Sequence, residues 1–384
     1  MPCTRHLLAA LVLVLSAAGC SAPDEPADDG DQTITLMSLP QIVQPGTEPA
    51  PAAEAETALA LTVEPARPGR PVVLERAVQS GWQEVARAEQ SEDGTAEFTA
   101  PYSRDGEVQT YRAVALEHNG LPEATSGEVS ADAWGEPALS DEFSGNALPE
   151  HWALREQEYV GHRACSDSSP DAFRVAEGTL RLSALVDPDP PATVCETDDG
   201  RFDYRLTGHV ATHNRRDFSY GIAAARIRLQ PRRGQHSAFW LQQAEPGGAE
   251  IDVVEYFGDG HPQGGLSSFV HFTDEGGEST KVGPRGVASG SQFLEDLDRY
   301  GEDWSGAFHV FSVEWTPERY VFRIDGKETF RTTEGVSDVR EFLILSLQSS
   351  TYEIRHLDGN RKPPHGTEHL PQHMYVDWVR YWEN

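Results

Sequence analysis

The chain has 384 residues, of which 62 are acidic and 31 are basic, so its formal net charge at pH 7 is −31. This balance excludes nucleic acid as a partner, because binding to a phosphate backbone requires basic patches. The length is enough for two domains, and we expect the protein to be a monomer.

The N-terminal residues are typical of an export signal. The pair Arg5-His6 precedes an apolar run from Leu7 to Leu15, which is too short to be a stable membrane anchor. The following Ala17-Ala18-Gly19-Cys20 resembles a bacterial lipobox, in which Cys20 becomes the lipid-bearing mature N-terminus. We therefore predict a lipoprotein signal over residues 1–20 and a protein anchored to the membrane at the bacterial cell surface. An ordinary secretory signal cleaved nearby is the alternative.

Residues 21–56 and 57–131 differ in composition. The first stretch is rich in Pro, Ala, Asp and Glu, which predicts a disordered tether, since such a segment cannot bury a core. The second contains short alternating runs, such as Leu59, Leu61 and Val63, separated by turn residues such as Asp93-Gly94. This pattern predicts a small immunoglobulin-like or fibronectin-like β-sandwich. A spacer or docking role is favoured over carbohydrate binding, because the segment offers few aromatic platforms.

The segment Glu250-Ile-Asp252-Val-Val-Glu255 carries three carboxylates amid β-branched residues, which indicates a strand with one buried face. Glu250 and Asp252 share a face, whereas strict alternation turns Glu255 to the other. One inserted residue, a β-bulge, brings all three acids to the same face. Neighbouring acids repel one another and separate into charged and protonated forms, as the two carboxyl groups of a retaining glycoside hydrolase must.

Other motifs surround this strand in a fixed order. They are Asp141-Glu142-Phe143-Ser144-Gly145, Phe218-Ser-Tyr220-Gly221, Ala238-Phe239-Trp240-Leu241, Glu314-Trp315-Thr316-Pro317, Ile324-Asp325-Gly326 and Val376-Asp377-Trp378. Together they resemble glycoside hydrolase family 16, in the branch of laminarinases, agarases and carrageenases, over residues 137–384. The resemblance implies an all-β catalytic domain, a β-jelly-roll sandwich of the concanavalin A type. Many short strands with Gly and Pro turns also favour a two-sheet sandwich.

The resemblance implies a role for each acid. Glu250 matches the nucleophile, Glu255 matches the general acid/base, and Asp252 would orient the nucleophile. No clustered His or Cys spacing indicates a metal in the cleft, so no cofactor is expected to be required. Family members often bind a structural calcium ion away from the cleft, and Glu142 and Asp377 match positions that supply its oxygen ligands.

Six residues are predicted to contact the polysaccharide: Trp240, Gln242, His271, Tyr256, Ser346 and Gln348. Alternation places Trp240 and Gln242 on one strand face, where the indole would stack on a sugar ring; the alternative is that Trp240 belongs to the core. His271 matches a family histidine, although a lone histidine is equally often structural. Tyr256 follows the acids, while Ser346 and Gln348 alternate with leucines and form a polar face.

Two cysteines are predicted to form a disulfide. Cys3 leaves with the signal and Cys20 carries the lipid, so Cys165 and Cys195 remain in an exported protein. In that setting a disulfide is favoured over two free thiols.

The predicted function is endo-acting, retaining hydrolysis of a β-linked polysaccharide, with a β-1,3- or β-1,3/1,4-glucan as the preferred substrate. An agar-like or carrageenan-like galactan is the alternative, because Ser349-Ser350-Thr351 stands where many laminarinases carry Ala-Val-Gly-Gly. The global acidity favours an unsulfated polymer. Transglycosylation and non-catalytic polysaccharide binding are further alternatives, the last disfavoured by the three intact acids.

Overall fold

The computed structural model describes residues 32–156, 159–187, 194–197, 200–243, 248–274, 276–284, 286–287, 293–349 and 371–384. Within these ranges the chain is built of β-strands and four short 3₁₀ helices, which confirms the predicted all-β class. None of the helices in these ranges has the length and apolar character needed to cross a bilayer. The predicted signal and Cys20 lie outside the described residues.

An N-terminal module precedes the larger domain. Its strands are β1 (Thr33–Val43), β2 (Glu56–Glu64), β3 (Pro71–Val78), β4 (Gly81–Glu89), β5 (Thr95–Ala100), β6 (Ser103–Arg104), β7 (Glu107–Val108), β8 (Thr110–Ala115), β9 (Ala124–Thr125) and β10 (Val129–Ser130). One sheet has the order β1-β2-β5, and the other has the order β10-β8-β3-β4 with β9 paired to β8. The Tyr111 hydroxyl, buried in the core that these strands share, donates to the Pro101 carbonyl at 2.6 Å. The relation to immunoglobulin or fibronectin modules stays a prediction.

The predicted tether over residues 21–56 is wrong for its described part. Residues 33–43 form β1, which pairs in antiparallel register with β2. Leu36 packs into the core of the module, whereas Leu39 and Ile42 pack against the larger domain. The apolar residues of β1 were not recognised from the sequence because the residues on both sides of the strand are rich in proline.

The larger domain contains the remaining strands. They are β11 (Leu139–Asp141), β12 (Ala153–Leu154), β13 (Ser166–Ser168), β14 (Phe173–Ala176), β15 (Thr179–Val186), β16 (Val194–Thr197), β17 (Gly200–Asp203), β18 (Arg205–Ala211), β19 (Gly221–Arg228), β20 (Gln235–Gln243), β21 (Glu250–Tyr256), β22 (Leu266–Thr273), β23 (Ser279–Gly283), β24 (Gly286–Val287), β25 (His309–Trp315), β26 (Tyr320–Ile324), β27 (Lys327–Thr332), β28 (Glu341–Ser349) and β29 (Gln372–Glu383). The 3₁₀ helices are Ala52–Glu54, Gly161–Arg163, Pro170–Ala172 and Leu297–Arg299.

Most of these strands form two facing layers, whereas β16 and β17 pair as a separate two-stranded sheet. The acid-bearing sheet runs β18-β28-β20-β21-β22-β23-β24, and the docking sheet runs β14-β15-β29-β19-β25-β26-β27. Alternation determines which side chains lie between them: Leu343, Leu345 and Leu347 of β28 belong to the shared core. The other face of the acid-bearing sheet, called the acid face below, carries the predicted catalytic residues. The predicted jelly-roll sandwich is thus confirmed.

The N-terminal module is docked on the outer face of the docking sheet. Leu39, Ile42 and Ala58 of the module pack against Trp378 and Trp382 of β29. Polar contacts extend the same interface, since a β-bridge joins Gly46 to Phe308 and the amide of Glu328 donates to Glu97 Oε1 at 2.7 Å. The acid face therefore lies on the opposite side of the sandwich from the module.

Candidate active site

A bulge in β21 brings the three acids to one face. Asp252 is opposite Phe269 of β22 and Glu255 is opposite Ser267, so three steps along β21 correspond to two along β22. The Ser268 hydroxyl donates to the carbonyl oxygen of Val253 at 2.8 Å, which satisfies a backbone group inside the bulge. The bulge predicted from the sequence is confirmed, and it is the reason why Glu255 does not face the core.

Each acid has a different polar neighbour. Glu250 Oε2 accepts from the amide of Gln242 at 3.4 Å, and Asp252 Oδ2 lies 3.4 Å from Nε2 of His271. Glu255 Oε1 lies 3.8 Å from Nε2 of His236. Asp252 is buried, whereas the two glutamates are partly accessible. The partly exposed pair can therefore reach a substrate that Asp252 cannot.

Burial and mutual repulsion keep protons on the acid face. Burial, followed by the charge of Asp252, raises the pKa of Glu250 to about 7. The pKa of Asp252 is raised well above its usual value, by burial first and then by the charge of Glu255. Because Asp252 is the more deeply buried, it is the better holder of a shared proton, which leaves Glu250 as the group that ionises near neutral pH.

His271 completes the group around Asp252. It is opposite Glu250 across the β21–β22 ladder, and burial lowers its pKa. Among the described residues, Glu250, Asp252 and His271 are the one set of carboxylates and histidines whose ligand atoms, all within 4.8 Å, are spaced to hold a metal ion. Asp252 Oδ2, the atom nearest the imidazole, is nevertheless buried without a hydrogen-bond partner among the described residues.

Trp240 lies on the acid face, as alternation predicts, but it is not an open stacking platform. Its neighbours Phe239 and Leu241 point into the core. Its own indole is only 8% exposed, because the guanidinium of Arg155 lies over the ring with Cζ 5.0 Å from the centroid. The predicted stacking of a sugar on Trp240 is therefore wrong for this arrangement, and Arg155 occupies that position.

Three other predicted contacts are corrected by burial. Tyr256 is 1% exposed and belongs to the core, because the bulge turns Glu255 outward and the next residue inward. Ser346 is fully buried and accepts from Nε1 of Trp240 at 3.2 Å, so it supports the indole. Gln348 lies on the acid face but is buried as well. Gln242 and His271 are the predicted contacts that stay partly exposed.

Phe257 takes the place predicted for Tyr256. It is partly exposed and stacks on His236, with ring centroids 5.2 Å apart. Phe293 packs edge-on against Phe257, and His261 packs against Phe293 at 4.5 Å between centroids. This group of partly exposed rings lies at the Glu255 end of the acid face, where apolar faces of a sugar would find a partner.

Several residues of this site were not predicted from the sequence. His209 and His236 come from β18 and β20, and Arg155 and Arg163 come from the segment after β12. Glu341 of β28 accepts from the amide of Ala249 at 3.1 Å, which fixes the start of the acid-bearing strand. None of these residues stands at a fixed spacing from the acid motif. The one signal in the sequence was that His236 lies two and four positions before Ala238 and Trp240, and so shares a strand face with them.

The predicted calcium ligands are held by arginines. Arg226 of β19 forms a buried ion pair with Asp377, whose Oδ2 also accepts from the amide of Ala50 at 3.0 Å. Arg380 lies 3.4 Å from Glu142. These residues do not fit a calcium site, because a guanidinium already provides the positive charge that Asp377 would offer to an ion.

The predicted disulfide between Cys165 and Cys195 is confirmed. It joins the short strand β16 to the residues just before β13, close to the segment that carries Arg163.

Comparison with known proteins gives a consistent picture. The family model for glycosyl hydrolases family 16 matches residues 191–379. A curated relative, glucan endo-1,3-beta-glucosidase A1 of Niallia circulans, is 24% identical over 274 residues, which are 63% of this chain and 37% of the relative. The chain thus spans little more than a third of the length of that relative.

Two solved structures with similar folds are both described as acting on β-1,3-glucan or laminarin. The laminarinase catalytic domain of Thermotoga maritima is 19% identical, with a TM-score of 0.47 over 65% of this chain and 98% of that one. The endo-beta-1,3-glucanase of Pyrococcus furiosus is 19% identical, with a TM-score of 0.47 over 70% of this chain and 97% of that one. The match to the family model contains the bulged strand and its three acids, so residues 191–379 form a glycosyl hydrolase family 16 domain.

Proposed function

We propose that the protein is an endo-acting hydrolase of a β-1,3- or β-1,3/1,4-glucan that works with retention of configuration. The observation that carries this proposal is the bulge, which presents Glu250 and Glu255 on one face with Asp252 buried between them. Two carboxyl groups on one face are what double displacement at a sugar requires.

In the first step, Glu250 attacks the anomeric carbon and Glu255 protonates the departing glycosidic oxygen. The amide of Gln242 and the neutral, protonated Asp252 keep the Glu250 carboxylate oriented without adding charge beside it. The glycosidic bond breaks as the bond to the Glu250 oxygen forms, and the leaving sugar departs with the proton of Glu255.

In the second step, water attacks the same carbon and releases Glu250. Glu255, now ionised, accepts the proton of that water and returns to its starting state. Nε2 of His236 lies 3.8 Å from Glu255 Oε1, and Phe257 stacks on the imidazole, so the acid/base has a polar neighbour whose ring is packed against an aromatic side chain.

The glucan is supported by the curated relative, whose name states an endo-1,3-beta-glucosidase activity. The partly exposed Phe257, Phe293 and His261 suit the apolar face of a glucose ring. We also propose that the protein acts as a monomer, is exported, and is held at the membrane by lipid on Cys20. Replacing Cys20 with alanine should release the protein from the membrane fraction.

The test is a substrate panel of laminarin, lichenan and agarose, with release of reducing sugar and product length as readouts. The proposal expects internal cleavage of laminarin or lichenan and a loss of at least about 10⁴-fold in kcat for Glu250→Gln, with binding retained. Glu84→Gln, an exposed change in the N-terminal module, is the control. Full activity of Glu250→Gln, or cleavage of agarose alone, would contradict the proposal; longer products would indicate transglycosylation.

A further inference from the structure

The acid face is bordered by two arginines that lack an acidic partner. The chain has twice as many acidic as basic residues. Even so, among the described residues no carboxylate lies within salt-bridge distance of Arg155 or Arg163, whereas ten of the other arginines pair with carboxylates. We call Arg155 and Arg163 the arginine wall.

Arg155 is placed at the Glu250 end of the acid face. Its guanidinium lies over Trp240 and donates to Gln242, whose amide in turn donates to Glu250. Phe342 flanks the same guanidinium, with Cζ 5.6 Å from the ring centroid. Two aromatic rings and one amide therefore hold the cation in place without neutralising it.

Arg163 is placed at the Glu255 end. One of its terminal nitrogens lies 3.5 Å from Nε2 of His236, the histidine beside Glu255. Its Nε atom is buried and has no hydrogen-bond partner in the described part of the chain. A half-buried guanidinium with spare donors is costly unless something else binds it.

The groups between the two arginines do not cancel their charge. His209 contacts Tyr159 at 2.9 Å and faces Arg155 at 3.5 Å. Burial and the nearby arginines lower its pKa well below the usual value, so it adds no charge of its own. Glu250 and Asp252 are the nearest acids, but neither lies within salt-bridge distance of the two arginines. Burial favours the protonated form of Asp252, so one glutamate charge faces two guanidinium groups and the wall keeps a net positive charge.

We propose that Arg155 and Arg163 form an anion-binding wall, which takes a carboxylate or sulfate substituent on the polysaccharide bound across the acids. Arginine is suited to this role, because its planar fork matches both kinds of oxyanion. The proposal rests on the proposed function, since it assigns the anion to a substituent of the substrate itself. It names the substrate class as an acidic β-glucan, in contrast to the unsulfated polymer expected from the global charge.

The experiment compares two derivatives of one β-1,3-glucan with equal degrees of substitution. One carries carboxymethyl groups and the other carries neutral hydroxyethyl groups of similar size. We expect kcat/KM to be roughly tenfold higher for the carboxymethyl derivative, the size of one charge-assisted hydrogen bond. This preference should shrink as NaCl is raised, because salt screens charge pairs.

Variants of the two arginines test whether they cause the preference for the carboxymethyl derivative. Arg155→Gln and Arg163→Gln should each lower the carboxymethyl-to-hydroxyethyl ratio, and the double variant should abolish the preference. The ratio is informative even if Arg155→Gln slows the chemistry through Gln242, because both substrates share that step. Arg104→Gln, an exposed change in the N-terminal module, removes the same charge far from the wall and should leave the ratio unchanged.

A second arm separates this proposal from the catalytic one. Binding of both derivatives to the Glu250→Gln protein is measured by affinity electrophoresis, with a sulfated glucan to distinguish the two oxyanions. Equal retardation by the charged and neutral glucans, or a preference that the double variant keeps, would overturn the wall while leaving the hydrolase assignment intact. If no glucan is hydrolysed but the charge preference is present and lost in the double variant, the wall stands and the hydrolase assignment fails.

Discussion

At the scale of single residues, the protonation of Glu250 connects activity with stability. Its pKa of about 7 lies above the usual glutamate value of 4.5, so the folded state binds this proton more tightly than the unfolded chain. The free energy of unfolding therefore falls as pH rises from about 4.5 to 7 and levels off above that range. Glu250 must be ionised to attack the sugar, so activity should rise as the pH approaches the pKa of about 7.

Glu250→Gln should show directly how much stability the ionisation of Glu250 removes, because glutamine resembles the protonated acid at every pH. We expect the variant and the native protein to have similar unfolding free energies at pH 5, and the variant to be more stable by roughly 2 kcal/mol at pH 8. Urea unfolding at both pH values measures it. A stability difference that does not change with pH would show that Glu250 is not buried among like charges; Glu84→Gln supplies the baseline.

At the scale of the strand, the hydrogen bond from Ser268 to Val253 holds the bulge that orients Glu255. Ser268→Ala leaves a buried carbonyl unsatisfied, so we expect a loss of about 1–3 kcal/mol in unfolding free energy. It should also lower kcat roughly tenfold or more, because the acid/base moves relative to the nucleophile. Ser183→Ala is the matched control: its buried hydroxyl bonds to His373 at 2.8 Å on the docking sheet. An unchanged kcat in Ser268→Ala would contradict this role of the bulge.

At the scale of the whole molecule, an ion pair replaces the metal that the family resemblance led us to expect. Arg226 and Asp377 are both buried, and the module completes their surroundings through the amide of Ala50. Arg226→Ala should lower the unfolding free energy by about 3–5 kcal/mol, because it leaves an uncompensated buried carboxylate. Adding Asp377→Asn should recover part of that loss. EDTA should not change the melting temperature of the native protein, and a drop reversed by calcium would contradict the replacement.

The docked module should also make unfolding cooperative across both domains. Gly326 has φ +78°, and a Cβ there would lie 2.7 Å from side-chain atoms of Val43 and Ala58 in the module. Gly326→Val should therefore split a single calorimetric transition into two. Gly106→Val is the matched control, because Gly106 has φ +82° with open space around it. Two transitions already in the native protein would contradict the rigid docking.

Local patterns sufficed for the features that depend on a single strand. The alternation of Leu343, Leu345 and Leu347, the bulge, and the shared face of Glu250 and Asp252 could all be predicted from the sequence. The errors arose where a distant segment decides the outcome. Trp240 is covered by Arg155, which lies 85 positions earlier in the chain, and the periodicity of a single strand cannot predict a contact with such a distant residue. The ion pair of Asp377 could not be predicted for the same reason, since Arg226 reaches Asp377 from another strand.

The most direct test of the central claim is to identify the residue that bears the glycosyl group. The native protein is incubated with an oligosaccharide whose reducing-end residue is a 2-deoxy-2-fluoro glycosyl fluoride, so that fluoride departs as the bond to the protein forms. The labelled peptides are then sequenced by mass spectrometry. A slow second step should trap the intermediate, and the added mass should be on Glu250 alone. Label on Asp252 or Glu255, or turnover of the true substrate without any covalent adduct, would contradict the account.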